Sequence, residues 1–412
     1  MTRLIVAYNH RHVRRIAVFT RKLRPLTAAV VLGVAAVSAC SAPGQAEQPA
    51  EGFPSEIRIG VPLDTSGPVG PVVEIGLSER EGIRVAAEEI NESGLLGDSK
   101  IVLTESDTAA NRDEAVKAVT QYVDKGVHGI VGFTLTPSFA AAAPVAQRTK
   151  IPVVAVGLSG GGVEETGDLA FRTYPNVATT VYPPADVTFA KDFGAKTAGL
   201  IYASDNDSSV AINKARKEAL EKAGVKVVEN VAIGSQDTEL RAALTKLKGA
   251  SPDLVVASTT PGQVPAFASQ AAEVGLDSRM ITVDGTQTPA TLKAAGTELQ
   301  CAVFQAVWSD ISTKGNNEHF LKEFDKRSER EPDTFAAASY DGLWVLARAM
   351  KDADSTQSGK VRDALLKIKD HQGALGTYDY TQGTGAPTLS GEPMIIDGGK
   401  AKAYESGQSC TA

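Results

Sequence analysis

From residue 56 onward, short runs of β-branched residues alternate with longer stretches in which apolar positions recur every three or four residues. The runs 57–62, 100–105, 127–132, 151–156, 197–203, 225–233, 253–257, 279–283 and 301–307 read as strands. Several are almost wholly apolar, as strands covered on both faces are. Between them, 78–91 sets Ile83, Ala86, Ala87 and Ile90 on one side and Arg84, Glu88 and Glu89 on the other, the spacing of an amphipathic helix. Asn111 ahead of Asp113 and Glu114 predicts a capped helix start, with Ala115, Val116, Val119 and Val123 facing inward. The stretches 208–223, 238–247, 264–274, 316–326, 334–353 and 359–369 read as helices on the same grounds. Such alternation predicts an α/β fold built on parallel sheets.

The pattern also echoes itself. Strand 127–132 leads through Phe133-Thr134-Leu135-Thr136-Pro137 into a helix, then strand 151–156 and the turn Gly157-Leu158-Ser159. Strand 253–257 leads through Ser258-Thr259-Thr260-Pro261 into a helix, then strand 279–283 and the turn Asp284-Gly285-Thr286. Hydroxyl-bearing turns at corresponding places predict two similar lobes, each offering the C-terminal ends of parallel strands. Ligands bind at such ends in open α/β sheets.

The alternation does not reach the N-terminus. Arg21, Lys22 and Arg24 precede an apolar run of about a dozen residues, the length of a signal-peptide core and too short for a membrane span. The run ends in Val37-Ser38-Ala39-Cys40, which resembles a bacterial lipobox. This predicts a lipoprotein signal peptide over 1–39 and a lipid on the Cys40 sulfur; an ordinary secretory cleavage site followed by cysteine is the alternative. Residues 40–55 are poor in large apolar side chains and read as a flexible tether.

Residues 1–39 hold seven basic residues and no acid, so the 373 that follow carry 35 Lys and Arg against 49 Asp and Glu, a formal charge of −14. Such a surface repels nucleic acid. Beyond Cys40 only Cys301 and Cys410 remain. An even pair in an oxidising compartment favours a disulfide, with two buried thiols as the alternative.

Enzyme chemistry finds one lead. Gly157-Leu158-Ser159-Gly160-Gly161 fits the G-x-S-x-G of a hydrolase nucleophile elbow, but glycines and acids follow the serine where an elbow needs a helix. His319 and His371, the histidines downstream, sit in polar helical and turn contexts, which leaves a serine hydrolase as a remote alternative. No paired histidines suggest a metal, and no glycine-rich phosphate loop suggests a nucleotide cofactor. The hydroxyls of Thr136 and Ser159 with helix-start N–H groups instead suit a carboxylate, and Asp284 suits an ammonium. A simple capping role at Thr136 and Asp284 is the alternative.

The opening strand followed by Asp64-Thr65-Ser66-Gly67-Pro68, then Ala86-Ala87-Glu88-Glu89-Ile90-Asn91, Asp107-Thr108, Ile130-Val131-Gly132, Phe171-Arg172-Thr173, Ser339-Tyr340-Asp341-Gly342 and Met394-Ile395-Ile396-Asp397-Gly398-Gly399, resembles the leucine/isoleucine/valine-binding family of extracellular solute-binding proteins. The resemblance runs from residue 57 to 403. It implies two Rossmann-like doubly wound lobes joined by three crossovers, here 56–174 with 309–388 and 175–308 with 389–412. It also implies capture of a small ligand between them and delivery to the permease of an ATP-driven (ABC) importer at the cell membrane. A receptor of the same fold coupled to a membrane sensor is the alternative.

By the same resemblance Thr136 matches the hydroxyl that binds the ligand carboxylate, Gly157 a backbone carbonyl on the amino group, Ser159 a further hydroxyl, and Asp284 the acid on the ammonium. Leu158 falls within the same set, and Leu135 and Phe335 match residues lining the side-chain pocket. Ser208 and Thr260 stand where amino-acid binders often carry tyrosines, and the first loop, Val69-Gly70-Pro71-Val72-Val73, is altered. Fewer aromatic walls imply a pocket less suited to an aliphatic side chain.

Overall fold

The structure, a computed structural model, describes residues 52–408 and residue 410; the predicted signal peptide, Cys40 and the tether as far as residue 51 lie outside the described residues. The chain begins β1 (Glu56–Leu63), α1 (Gly70–Ser93), β2 (Lys100–Asp107), α2 (Arg112–Asp124), β3 (Gly129–Gly132), α3 (Thr136–Arg148), β4 (Val153–Ala155) and β5 (Ala170–Arg172). It continues α4 (Tyr182–Asp192), β6 (Thr197–Ala203), α5 (Asp207–Lys222), β7 (Lys226–Ile233), α6 (Arg241–Ala250), β8 (Leu254–Ser258), α7 (Val264–Val274), β9 (Arg279–Ile281), α8 (Pro289–Ala295) and β10 (Val303–Ala306). The remainder is α9 (Asn317–Arg327), α10 (Thr334–Ala353), α11 (Ser358–Leu365), the hairpin β11 (His371–Gly373) and β12 (Gly376–Tyr378), then β13 (Glu392–Asp397) and β14 (Lys400–Ala403).

One sheet has the order β2-β1-β3-β4-β5 with every pair parallel. The other runs β14-β13-β10-β9-β8-β6-β7, parallel from β10 to β7 and antiparallel at β13 and β14. The chain crosses between the two at residues 173–181, 307–316 and 379–391. These are the two doubly wound α/β lobes and three crossovers expected from the sequence. The first crossover contains a π-helical turn, Val177–Val181. Among the described residues, no helix is long and apolar enough to cross a membrane.

Local chemistry explains the element ends. Asn111 caps α2 by accepting the N–H groups of Asp113 (2.8 Å) and Glu114 (3.3 Å). Asp333 caps α10 in the same way, with Phe335 and Ala336 both at 2.9 Å. A Cβ on Gly82 would collide with the Ala336 carbonyl and the Ser339 hydroxyl, so this glycine lets α1 and α10 press together. Within α10, buried Asp341 accepts the N–H groups of Ala374 (2.7 Å) and Leu375 (3.0 Å) and the Tyr378 hydroxyl (2.8 Å), pinning the hairpin. Burial pushes its carboxyl up to about 7, against those three bonds.

Two expectations need correction. Residues 70–73, read as an altered loop, are the first turn of α1, which starts eight residues before the predicted 78. Val72, Val73, Ile75 and Leu77 are all half-buried there, so no one-sided stripe marks the helix. The strand expected over 151–156 is only Val153–Ala155, because Lys150, in the left-handed region, turns the chain out of α3 and the Ile151 N–H is spent on the Ala146 carbonyl of that helix. Cys301 and Cys410 are joined in a disulfide that ties the C-terminal tail to the segment entering β10.

Candidate functional site

The C-terminal ends of the first sheet converge on polar side chains. Asp64 follows β1, Thr108 follows β2, Thr134 follows β3 and Gly157 follows β4, and the first three are buried. Asp64 accepts the Thr108 hydroxyl and the Ala110 N–H (2.8 Å) on Oδ1, and its own N–H is donated to Thr134 Oγ1 at 3.1 Å. Thr134 donates in turn to Oε2 of Glu79, a fully buried acid from α1, at 2.6 Å. Burial pushes this carboxyl up to about 8, aided by the charges of Asp333 and Asp64 and opposed by the Thr134 bond.

Beside that floor, Leu135 and Thr136 open α3, and both are half-buried. The Thr136 hydroxyl makes no hydrogen bond among the described residues, and the first turn of α3 has no side-chain cap. Its leading N–H groups are therefore available to an anion. The adjoining loop is held from below by Arg172, whose fully buried guanidinium donates to the carbonyls of Leu158 (3.1 Å) and Gly160 (2.6 Å) and pairs with Glu164 (2.6 Å). Ser159 is half-buried and faces a cavity of about 330 Å³ that Ser208, on the first turn of α5, also lines. Asn176 of the first crossover borders the same cavity.

The second sheet contributes Asp284, three residues beyond Ile281, the last residue of β9. Its backbone N–H is donated to the Tyr182 hydroxyl at 3.1 Å. Its carboxylate accepts Gln287 Nε2 at 2.9 Å and the Tyr174 hydroxyl at 3.5 Å. Burial pushes Asp284 up to about 6, against the bonds from Gln287 and Tyr174. The Tyr174 ring stacks on Phe335, with centroids 5.7 Å apart and planes 11° from parallel. Behind Tyr182 lies Arg216, its guanidinium 4.9 Å from the ring centroid and bonded in two places to Asp186 (2.7 and 3.0 Å).

Of the residues singled out in the sequence, Ser159 and Ser208 share a cavity, and Asp284 and Phe335 meet through Tyr174. Gly157 lies against Glu79, while buried Leu158 offers its carbonyl to Arg172. Thr260 closes a capping box with Gln263, the amide oxygen of Gln263 accepting both the N–H and the hydroxyl of Thr260 at 3.2 Å. The helix that a nucleophile elbow needs does not follow Ser159. The chain after it bends into a short 3₁₀ turn at Glu164–Thr166, His128 is bound to the Arg58 N–H, and His319 pairs with Glu89.

Glu79, Tyr174, Tyr182, Arg172 and Arg216 were not anticipated. Two of them left a visible signal. Glu79 falls in register with Ile83, Ala86 and Ile90, and Arg216 with Ser209, Asn213 and Leu220, so each is a charge on an inward helical stripe.

Similarity to known proteins follows the same outline. The Leucine-, isoleucine-, valine-, threonine-, and alanine-binding protein of Pseudomonas aeruginosa is 22% identical over 333 residues, spanning 78% of this chain and 88% of that one. A branched-chain amino acid transporter substrate binding protein, LivJ, from Streptococcus pneumoniae in complex with isoleucine superposes with a TM-score of 0.70 at 23% identity, covering 84% of this chain and 98% of that one. A solute-binding protein of an ABC transporter from R. palustris in complex with 4-hydroxybenzoate gives 0.71 at 20% identity, covering 85% and 96%. The profile described as periplasmic binding protein matches residues 56–399, and the chain belongs to that family of solute-binding proteins.

Proposed function

We propose that this protein is a lipid-anchored, extracytoplasmic receptor that captures a small carboxylate-bearing solute between its lobes and delivers it to an ABC importer. The lobes are 56–174 with 309–388 and 175–308 with 389–412. Thr136, with the free N–H groups of α3, takes the carboxylate, assisted by Ser159. Asp284 takes an ammonium together with the Gly157 carbonyl, and Leu135, Leu158, Phe335, Ser208 and Thr260 surround the rest of the solute.

The observation that carries this reading is the pairing of an uncommitted helix start on one sheet with a carboxylate beyond the strand ends of the other. The Tyr174–Asp284 bond ties the first crossover to the second sheet. A ligand that touches both walls stabilises the closed form by those shared contacts, and only by them. An amino acid, with a branched-chain one as default, fits both charges.

The stacked Tyr174–Phe335 pair favours a second class, aromatic carboxylates, since it supplies a flat apolar wall where Ser208 and Thr260 do not. A thermal-shift screen of amino acids and aromatic acids separates the two. A ligand at 100 times its Kd raises stability by about 2.7 kcal/mol. Silence from every compound of both classes contradicts the proposal. The anchor is tested by Cys40→Ala, which should move the protein from the membrane fraction to the soluble one.

A further inference from the structure

Glu79 brings the strand ends of the first lobe to one carboxyl group. Its Oε2 accepts the Thr134 hydroxyl, which itself receives the Asp64 N–H, so the ends of β1 and β3 are tied to it. Its Oε1 is buried without a hydrogen-bond partner and occupies the space that a Cβ on Gly157 would need, beyond the end of β4. We propose that Glu79 is a positioning residue for the solute, setting Thr134 and Gly157 in place as a neutral acid, so that solute capture is linked to a proton. This rests on the proposed binding role of Gly157 and Thr136.

The charged groups facing Glu79 are Asp64, from the end of β1, and Asp333, from the start of α10, and both are acidic. Arg80, its neighbour on α1, pairs with Glu81 at 3.7 Å. Burial among these groups pushes Glu79 up to about 8, so at neutral pH it keeps its proton. With Thr134 bonded to Oε2, Oε1 is left without a hydrogen-bond partner, against Gly157. Ionisation would put charge on an oxygen that has no donor, in direct contact with the loop that carries Gly157 and Ser159. A solute carboxylate at the start of α3, two residues beyond Thr134, adds a further negative charge nearby and tightens the hold on the proton. By reciprocity the proton then tightens the hold on the solute.

The test is calorimetric titration with L-isoleucine and with benzoate from pH 6.5 to 9.5, on wild type, Glu79→Gln and Asp333→Asn. Benzoate has no amine to titrate in that range. Wild-type affinity should fall about tenfold per pH unit above about 8. Glu79→Gln, a neutral isostere, should stay flat. Asp333→Asn keeps the α10 cap but removes a facing charge, so its decline should begin at lower pH. At pH 8 wild type should take up protons on binding, seen as a buffer-dependent heat that Glu79→Gln lacks. An alkaline decline in Glu79→Gln equal to wild type overturns the inference. If that variant does not fold, an unshifted decline in Asp333→Asn overturns it. Wild type that binds neither probe at any pH refutes the solute-binding reading and this inference with it.

Discussion

A carboxylate that must be ionised to hold an ammonium, yet is pushed up to about 6 by burial, makes binding acid-sensitive. Asp284 is that group. For an amine-bearing ligand, affinity should hold between about pH 7 and 8 and fall as pH drops through about 6, approaching tenfold per unit below it. Asp284→Asn should weaken such a ligand about 10- to 100-fold at pH 7 and remove the acid limb, both read by calorimetry. Stability carries a signature of opposite direction. Glu79 and Asp341 stay protonated in the fold to about 8 and about 7, whereas the unfolded chain has already released those protons. The folded state therefore binds more protons, and stability must fall as pH rises through that window. His371, pushed down to about 4 by burial, opposes this only below its ordinary value of 6.5. Between pH 7 and 8, Tm should therefore decline, and Glu79→Gln should flatten the slope. Which residues could be foreseen follows from range: Glu79 and Arg216 betray themselves by helical register and Asp284 by its turn, whereas the bond from Tyr174 to Asp284 spans 110 positions and nothing local announces it.

Elements were legible where their apolar residues form a long continuous run or recur at helical spacing. The reading of 334–353 as helix matches α10, which is buried on every side from Ala336 to Leu343, and the apolar runs at 197–203 and 253–257 became β6 and, one residue on, β8. The start of α1 was hidden because its side chains are half-buried all round. The strands β5, β11 and β12 were missed because three residues give no period to detect, and their place is set by partners elsewhere. Asp341 is one such partner, fixing the β11–β12 hairpin from the middle of α10. The seam between α1 and α10 supplies a test at this scale. Gly82→Val forces a branched side chain onto the Ala336 carbonyl, and denaturant unfolding should show a loss of roughly 2–3 kcal/mol or more. An unchanged midpoint would mean the helices pack less closely than described.

At the scale of the whole molecule, chemistry and reinforcement lie at opposite ends of the second sheet. Asp284 lies beyond the C-terminal end of β9, while the Cys301–Cys410 disulfide sits where its parallel neighbour β10 begins. The bridge closes a sequence separation of 109 residues. Replacing both cysteines by serine should therefore lower stability by about 2–4 kcal/mol in urea unfolding while leaving ligand affinity within twofold. The two-lobed plan was legible because the strand–helix–strand order repeats; the joining of the lobes through Tyr174 was not, since a crossover has no period of its own. The claim on which everything else depends is that one solute is held from both sheets at once. Calorimetric titration of L-isoleucine into wild type, Thr136→Val and Asp284→Asn tests it directly. The account predicts that each single substitution, on separate lobes, weakens binding at least about tenfold. Wild-type affinity in either variant would contradict it.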